Sequence, residues 1–321
     1  MNTTSHKRLA FATKALLTIG MLVAIIVYAD AEKMVASWKR ADGRYAMLAA
    51  VLVLPNIFLQ TLSWWTALRV IDKSVSLVQA ARMVVVGTAM GAATPGRVGD
   101  VAMVALLNQA HRLSAAGLFV VVRAISGAGL FVAGWLALIS SPSILPGVGD
   151  GHGVFVRGLV VMAALVTAAL LAIYVRHKLS GQIPLRGVWG SVRKGTSGIR
   201  LLGRGDLVKI ALYSLVVSLV VAVQLGCLAR VFGEVGSLDS IIAAAITMAL
   251  QALAPIGLGN LGIRESAAAL CFSRVGLPPA AAVNAALSLF AVNIVIPGLV
   301  GTLAFWRKSK SGPMPEEPLE S

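Results

Sequence analysis

Apolar positions along the 321-residue chain gather in long unbroken runs, not in strand-like alternation. A helix needs about 20 mostly apolar residues to cross a bilayer core. Six runs fit that requirement, at 14–30, 45–68, 115–139, 154–175, 207–232 and 280–306. Two more apolar segments, 77–110 and 240–275, are interrupted near their middles. Pro95, Gly96 and Gly99 break the first; Pro255, Gly257, Gly259 and Gly262 break the second. Each half is roughly 14 residues, too short to span. Such pieces are re-entrant hairpins or broken helices, tolerated where protein buries them or where they line a wet cavity. The pattern predicts an all-α polytopic membrane protein with about six transmembrane helices and two opposed re-entrant helical hairpins. One transmembrane domain covers 1–306, and 307–321, ending "SGPMPEEPLES", is a disordered cytoplasmic tail.

Composition agrees with this reading: 58% of residues are hydrophobic and 13% charged, against roughly 25% charged in soluble domains. The net charge of +15 fits basic cytoplasmic loops better than a nucleic-acid surface. With the N-terminus inside, those loops include "RVIDK", "AHR", the stretch 176–206 and "RKSK". The far-side loops "SSPSILPGVGDGHG" and "GEVGSLD" hold no Lys or Arg. The first external loop, "DAEKMVASWKRADGR", departs from the rule with four basic residues, offset by three acids. The asymmetry places both termini in the cytoplasm, and the expected location is the bacterial inner membrane. "HKR" before an apolar stretch and "ADA" after it resemble a signal peptide; the segment is read as a retained first span. Loop 176–206 mixes Arg and Lys with Leu, Ile, Val and Trp189. It reads either as a solvated positive-inside loop or as a patch that docks on anionic lipid headgroups. Cys227 and Cys271 lie in apolar surroundings without framework spacing.

The two broken segments are alike. From Ser76 and from Ser237 each runs Ser-Leu, an alanine-rich half-helix, a threonine, a Pro-Gly break, then Arg and an acid. Three spans lie between them, so they enter the membrane from opposite sides, which is the arithmetic of an inverted repeat. A helix restarting after the break exposes unpaired N–H groups and the positive end of its dipole. Arg97 and Arg264 stand near those restarts. A cation there opposes the dipole unless an anion lies between, and a lipid phosphate fits that place because guanidinium binds it bidentately. Asp100 and Glu265 are the counter-ions, or proton carriers if burial raises their pKa. The plainer alternative makes Arg97–Asp100 and Arg264–Glu265 ion pairs that pin the hairpins. Arg123 either snorkels to the interface or adds a third positive group at the hairpin tips. Asn260 is a polar residue beside the second break and joins the candidate substrate site. Gln224, Gln251, Asn284 and Asn293 read as interhelical hydrogen-bonding residues.

"TPGRVGD" and "PIGLGNLGIRE" resemble the paired P-x-R-x-G-[ED] and P-G-G-x-G-x-R-E signatures of the flippase-like family of the lysylphosphatidylglycerol synthase transmembrane region. The resemblance runs from the first span to the last. Ile256 replaces a glycine of the second signature. In "VVVRAISGAG", Arg123 matches the family's acid–Arg pattern, while Val122 and Ser126 stand where acids are usual. The resemblance implies a protein that moves lipids between leaflets, with a phospholipid, a polyprenyl-linked lipid or a related lipid as partner. Some members carry a fused synthase domain; the chain ends at its basic tail, so aminoacyl transfer is not expected. The absence of G-x-x-x-x-G-K-[ST] argues against ATP hydrolysis. The histidines lie at loops or span edges, no H-E-x-x-H occurs, and deep carboxylates are few. No catalytic residue, metal or cofactor is therefore expected. The alternatives are an intramembrane lipid-modifying enzyme or a partner that presents lipid to a separate biosynthetic enzyme. Orientation is testable with an impermeant thiol reagent on intact cells: Gly149→Cys should label and Ser197→Cys should not. The reverse result removes the basis for the opposed hairpins.

Overall fold

The computed structural model describes residues 20, 23, 27, 29–92, 94, 100, 103–104, 106–107, 109–144, 201–253 and 260–299. All of its regular structure is helical among these residues. The elements are α1 (Ala31–Lys39), α2 (Gly43–Val51), α3 (Val53–Leu68), α4 (Leu77–Ala92) and α5 (Gln109–Ser140). They continue with α6 (Arg204–Phe232), α7 (Ser237–Leu253), α8 (Ile263–Ser273), α9 (Pro279–Phe290) and a π turn over Ala291–Val295. Four stretches are long and apolar enough to cross a membrane: Gly43–Leu68, Ser114–Ser140, Arg204–Phe232 and Pro279–Leu299. They match four of the expected spans. The expected spans 14–30 and 154–175, loop 176–206 and the tail lie wholly or mostly outside the described residues.

Helix ends follow local chemistry. Asp30 accepts the Glu32 N–H at 3.1 Å and pairs with Lys33 at 3.0 Å, starting α1. Asp42 caps α2 by accepting from the Arg44 N–H at 2.8 Å. Such caps satisfy N–H groups that the helix itself cannot. Helix α1 was not foreseen, since its stretch reads as a charged loop. It packs on α9, where Asn284 donates to the Met34 carbonyl at 2.8 Å and the Ser37 hydroxyl at 2.6 Å. The step between α2 and α3 at Leu52 has a cause in Pro55, which has no N–H to give the Val51 carbonyl. Pro279 opens α9 at a position where its missing N–H costs nothing.

Helix α6 is the centre of the bundle, packed by α2, α3, α5, α7 and α9. In lipid, helix association relies on close packing and small residues, because lipid tails are as apolar as leucine. The α6–α9 core accordingly includes Ala222, Ala243, Ala244, Ala268, Ala282 and Ala285, all buried. A β-carbon on Gly226 would stand 3.2 Å from the Ser240–Ile241 backbone. Gly134 on α5 is tighter: its β-carbon would overlap Ala249 and lie 2.8 Å from the Ala245 carbonyl. Half of the apolar windows of Arg204–Phe232 and Pro279–Leu299 is buried, against 22% for Gly43–Leu68 and Ser114–Ser140. So α3 and α5 belong to the less buried spans among the described residues.

The two broken segments differ. In the second, α7 gives way to a turn at 260–262 and then to α8. In the first, the described residues after α4 include 3-10 turns at 100, 103–104 and 106, and α5 begins at Gln109. The close α5–α7 contact generates a prediction. Gly134→Leu should destabilise the purified protein by about 1–3 kcal/mol, read as a lowered melting temperature in detergent. Gly127→Leu, whose β-carbon meets nothing within 4 Å, should melt like wild type.

Candidate functional site

Asn56, Gln60 and Ser63 fall at i, i+4 and i+7 of α3, so they form a polar stripe on one face of an otherwise apolar span. Gln60 Nε2 donates to Asn56 Oδ1 at 2.8 Å, ordering the stripe. On α5, Phe119, Arg123 and Ser126 share a face by the same spacing. Helices α3 and α5 both pack on α6. Between them runs a groove lined by Gln60, Ser63, Trp64, Arg123, Ser126 and Ser214. Ser126 Oγ and Ser214 Oγ are 3.2 Å apart. The Trp64 ring stacks on Phe119 with centroids 5.6 Å apart. A neighbouring cleft shares Gln60, Trp64 and Arg123 and continues to Thr88 and Asp100.

Arg123 is where the two clefts meet. It lies about 14 Å along α5 from Ser114, where the membrane-crossing stretch starts, at 1.5 Å per residue. Its side chain is 40% exposed, while the Asp100 side chain is 8% exposed. Arg123 Nη2 donates to Asp100 Oδ2 in a charge-assisted hydrogen bond. The carboxylate fits against α4 only because residue 91 is glycine: a β-carbon there would overlap Asp100 Oδ1. Gly87, one turn earlier, clears room for the Asp100 carbonyl, which its β-carbon would approach to 3.2 Å. The snorkelling reading of Arg123 thus gives way to an ion pair that ties the chain after the first break to the middle of α5.

Arg264 and Glu265 make a different kind of pair. Arg264 Nη2 donates to Glu265 Oε1 at 2.5 Å, and both side chains are almost wholly buried. The other oxygen of Glu265 accepts the Gly262 N–H at 2.6 Å, so the carboxylate occupies the start of α8. Gly262 has φ +92°, a conformation that glycine adopts without penalty. Arg264 lies over the Phe290 ring, 5.5 Å from its centroid. Arg264 Nε, Asn260 Oδ1 and Gln251 Oε1 are buried without hydrogen-bond partners. Arg97 lies outside the described residues, as do Pro95, Gly96, Gly99, Pro255, Gly257 and Gly259.

The sequence places the candidate residues in two groups, and the structure brings Asp100 to Arg123 in one and gathers Asn260, Gly262, Arg264 and Glu265 in the other. The sequence profile of the lysylphosphatidylglycerol synthase TM region matches residues 11–301. The chain belongs to the lysylphosphatidylglycerol synthase transmembrane-region family. It is therefore a multi-pass membrane protein of a family connected with lipid handling. A comparison with curated proteins finds no match.

For this family member, sequence reading missed Gln60, Ser63, Trp64, Ser126 and Ser214. The stripe at 56, 60 and 63 was visible as polar residues at helical spacing within an apolar run. What it faces was not.

The buried pair at α8 gives a stability prediction. Arg264→Met strands a buried carboxylate, a class of change that costs about 3–5 kcal/mol. Arg264→Met/Glu265→Gln keeps an acceptor for the Gly262 N–H and strands no charge. It should therefore recover most of the lost melting temperature in detergent.

Proposed function

We propose that the protein is a lipid translocase that carries a phosphate-bearing lipid headgroup between leaflets without ATP hydrolysis and without covalent chemistry. The observation that carries this reading is the Asp100–Arg123 pair, whose arginine is partly exposed to a polar groove between α3 and α5. Ionisable residues inside a membrane are costly and default to functional roles. The acyl chains stay in the bilayer beside α3 and α5 while the headgroup enters the groove. Its phosphate takes the guanidinium of Arg123 bidentately and displaces Asp100 from it. Asp100 returns when the headgroup leaves, so the empty site never holds an uncompensated cation.

On this reading the two broken segments are re-entrant hairpins, the cytoplasm holds both termini, and Arg97 supplies a second phosphate contact along the path. Arg264 and Glu265 act as the pin that holds α8, because their charges are mutually consumed and buried. The 176–206 loop rests on anionic headgroups at the cytoplasmic surface.

Leaflet exchange of a labelled phospholipid in proteoliposomes tests the proposal. Wild type should exceed protein-free vesicles. Arg123→Lys keeps the charge and loses the fork, so exchange should fall about tenfold or more, with melting temperature changed little. Arg264→Met/Glu265→Gln should retain exchange. Exchange no faster than in empty vesicles, or full activity of a folded Arg123→Lys protein, defeats the reading.

A further inference from the structure

We infer that the second break holds a site for a monovalent alkali-metal cation, built from the side-chain amide oxygens of Gln251, Asn260 and Asn293. The site shares no residue with the groove between α3 and α5, and it does not rest on the translocase reading.

Helix geometry brings the three residues to one layer. The start of α7 and the connection from α8 to α9 lie at the same end of the bundle, where a β-carbon on Gly233 would come within 2.6 Å of Leu277. From that end Gln251 lies about 21 Å along α7, Asn260 just beyond the roughly 15 Å of α8, and Asn293 about 21 Å from the start of α9. Side-chain contacts set the faces. The Cys271 thiol bonds the Thr247 hydroxyl, so α7 turns this face to α8. Gln251 follows Thr247 by one turn on the same face, toward Arg264. Arg264 in turn lies over Phe290, three residues before Asn293. The hydrogen bonds fix which atom of Asn293 is left over. Gln224 gives its Nε2 to the Ala49 carbonyl, so its Oε1 accepts and Asn293 donates Nδ2 to it. Asn293 Oδ1 is then buried without a donor, as are Gln251 Oε1 and Asn260 Oδ1. A buried acceptor without a partner is unfavourable until something supplies one. Asn260 also has φ +62°, a conformation uncommon outside glycine.

Charge placement selects the class of ion. The end of α7 is a helix C-terminus, with carbonyls that lack intrahelical partners and a partial negative charge. No basic residue lies in its last turn. The positive start of α8 is already taken, because Glu265 accepts the Gly262 N–H there. The other oxygen of Glu265 is held by Arg264 Nη2, so each charge of that pair cancels the other. Calcium and magnesium are bound through carboxylates, and this carboxylate is committed on both oxygens. Neutral amide oxygens beside a helix C-terminus suit a singly charged hard cation, the arrangement by which broken membrane helices coordinate sodium. Arg264 Nε, buried and without a partner, then donates to a water of the ion's shell. Bound between α7, the turn before α8 and the π turn, the cation ties the second break to the last span.

The test uses the full chain purified in detergent and melted in sodium, potassium, magnesium or choline chloride at equal ionic strength. Retention of radiolabelled sodium and rubidium is measured in parallel. Sodium, potassium or both should raise the melting temperature by at least about 2 °C over choline, as a site near saturation does for a chain of this size. Magnesium should not. The two alkali arms separate a sodium-sized from a potassium-sized site. Asn260→Gly removes one oxygen and leaves a residue that adopts the same φ without penalty. Gln251→Met removes another at similar length. Each should abolish the alkali increment and the saturable retention of label. Gln251→Met should melt in choline no lower than wild type, because a buried acceptor without a partner is gone. Equal melting in alkali and choline salts without saturable retention means that water satisfies these oxygens, and overturns the inference. An alkali increment that both variants keep does the same, as does an equal increment with magnesium. None of these outcomes involves lipid exchange, so the translocase reading stands or falls by its own test.

Discussion

A carboxylate placed among membrane helices has no water to turn to, so its position is decided by whichever cation the protein can bring to it. In this protein Asp100 is met by Arg123, and much of the surrounding architecture accommodates that pair. Gly91 and Gly87 leave α4 bare where Asp100 approaches. Helix α4 packs on α3, and α3 and α5 both pack on α6. These contacts set the walls of the groove in which Arg123 is half exposed. A buried ion pair adds little net stability, yet breaking one is expensive. The pair therefore ties Asp100 to the middle of α5. A lipid phosphate has the charge and the geometry to take the place of the carboxylate.

The bundle divides into a tight half and an open half. Around α6, α7, α8 and α9, alanines and glycines bring backbones close, and interhelical polar contacts are few and specific. Gln224 donates to the Ala49 carbonyl at 2.8 Å and accepts from Asn293 at 2.6 Å, joining α2, α6 and the π turn. The turn that holds Asn293 is a local widening of the kind found at functional places in helices. Beyond it a β-carbon on Gly298 would come within 3.3 Å of Ala89 on α4, so this last span touches the first broken segment as well as Arg264. On the other side, polar residues of α3 and α5 line the groove. A rigid core behind a polar groove at the periphery is the arrangement a headgroup needs if its tails are to remain in lipid.

Much of the fold was legible because the bilayer imposes a length on each apolar run. The expected spans 45–68, 115–139, 207–232 and 280–306 correspond to Gly43–Leu68, Ser114–Ser140, Arg204–Phe232 and Pro279–Leu299. Helix α1 escaped notice because its nine residues carry three charges and too few apolar positions to announce a face; contact with α9 stabilises it. The site was legible only in part. Asp100, Arg123, Arg264 and Glu265 stood out because charge is rare in such a chain. Pairing did not follow from spacing: Asp100 meets an arginine 23 residues later on another helix, which no local pattern encodes. Ser63, Ser126 and Ser214 were hidden for the opposite reason. Serine is common and unremarked in membrane helices, and only its lack of a local carbonyl partner distinguishes Ser63 from Thr61.

The two breaks, alike as sequence, reach different chemistry through a difference in spacing. In the second, the acid follows its arginine directly and lies three residues after Gly262. That interval is the reach of a capping box, so Glu265 turns back to its own helix start and takes Arg264 with it. In the first, the acid comes three residues after Arg97, and the described residues 100, 103–104 and 106 lie in 3-10 turns. Asp100 meets Arg123 of α5, which lies at the edge of the groove. A carboxylate engaged by its own backbone can be released only by undoing the helix start. A carboxylate held by a half-exposed side chain can be displaced by a competing anion while both helices stay formed. The same residue types are thus engaged by their own helix start at one break and by a side chain of another helix at the other.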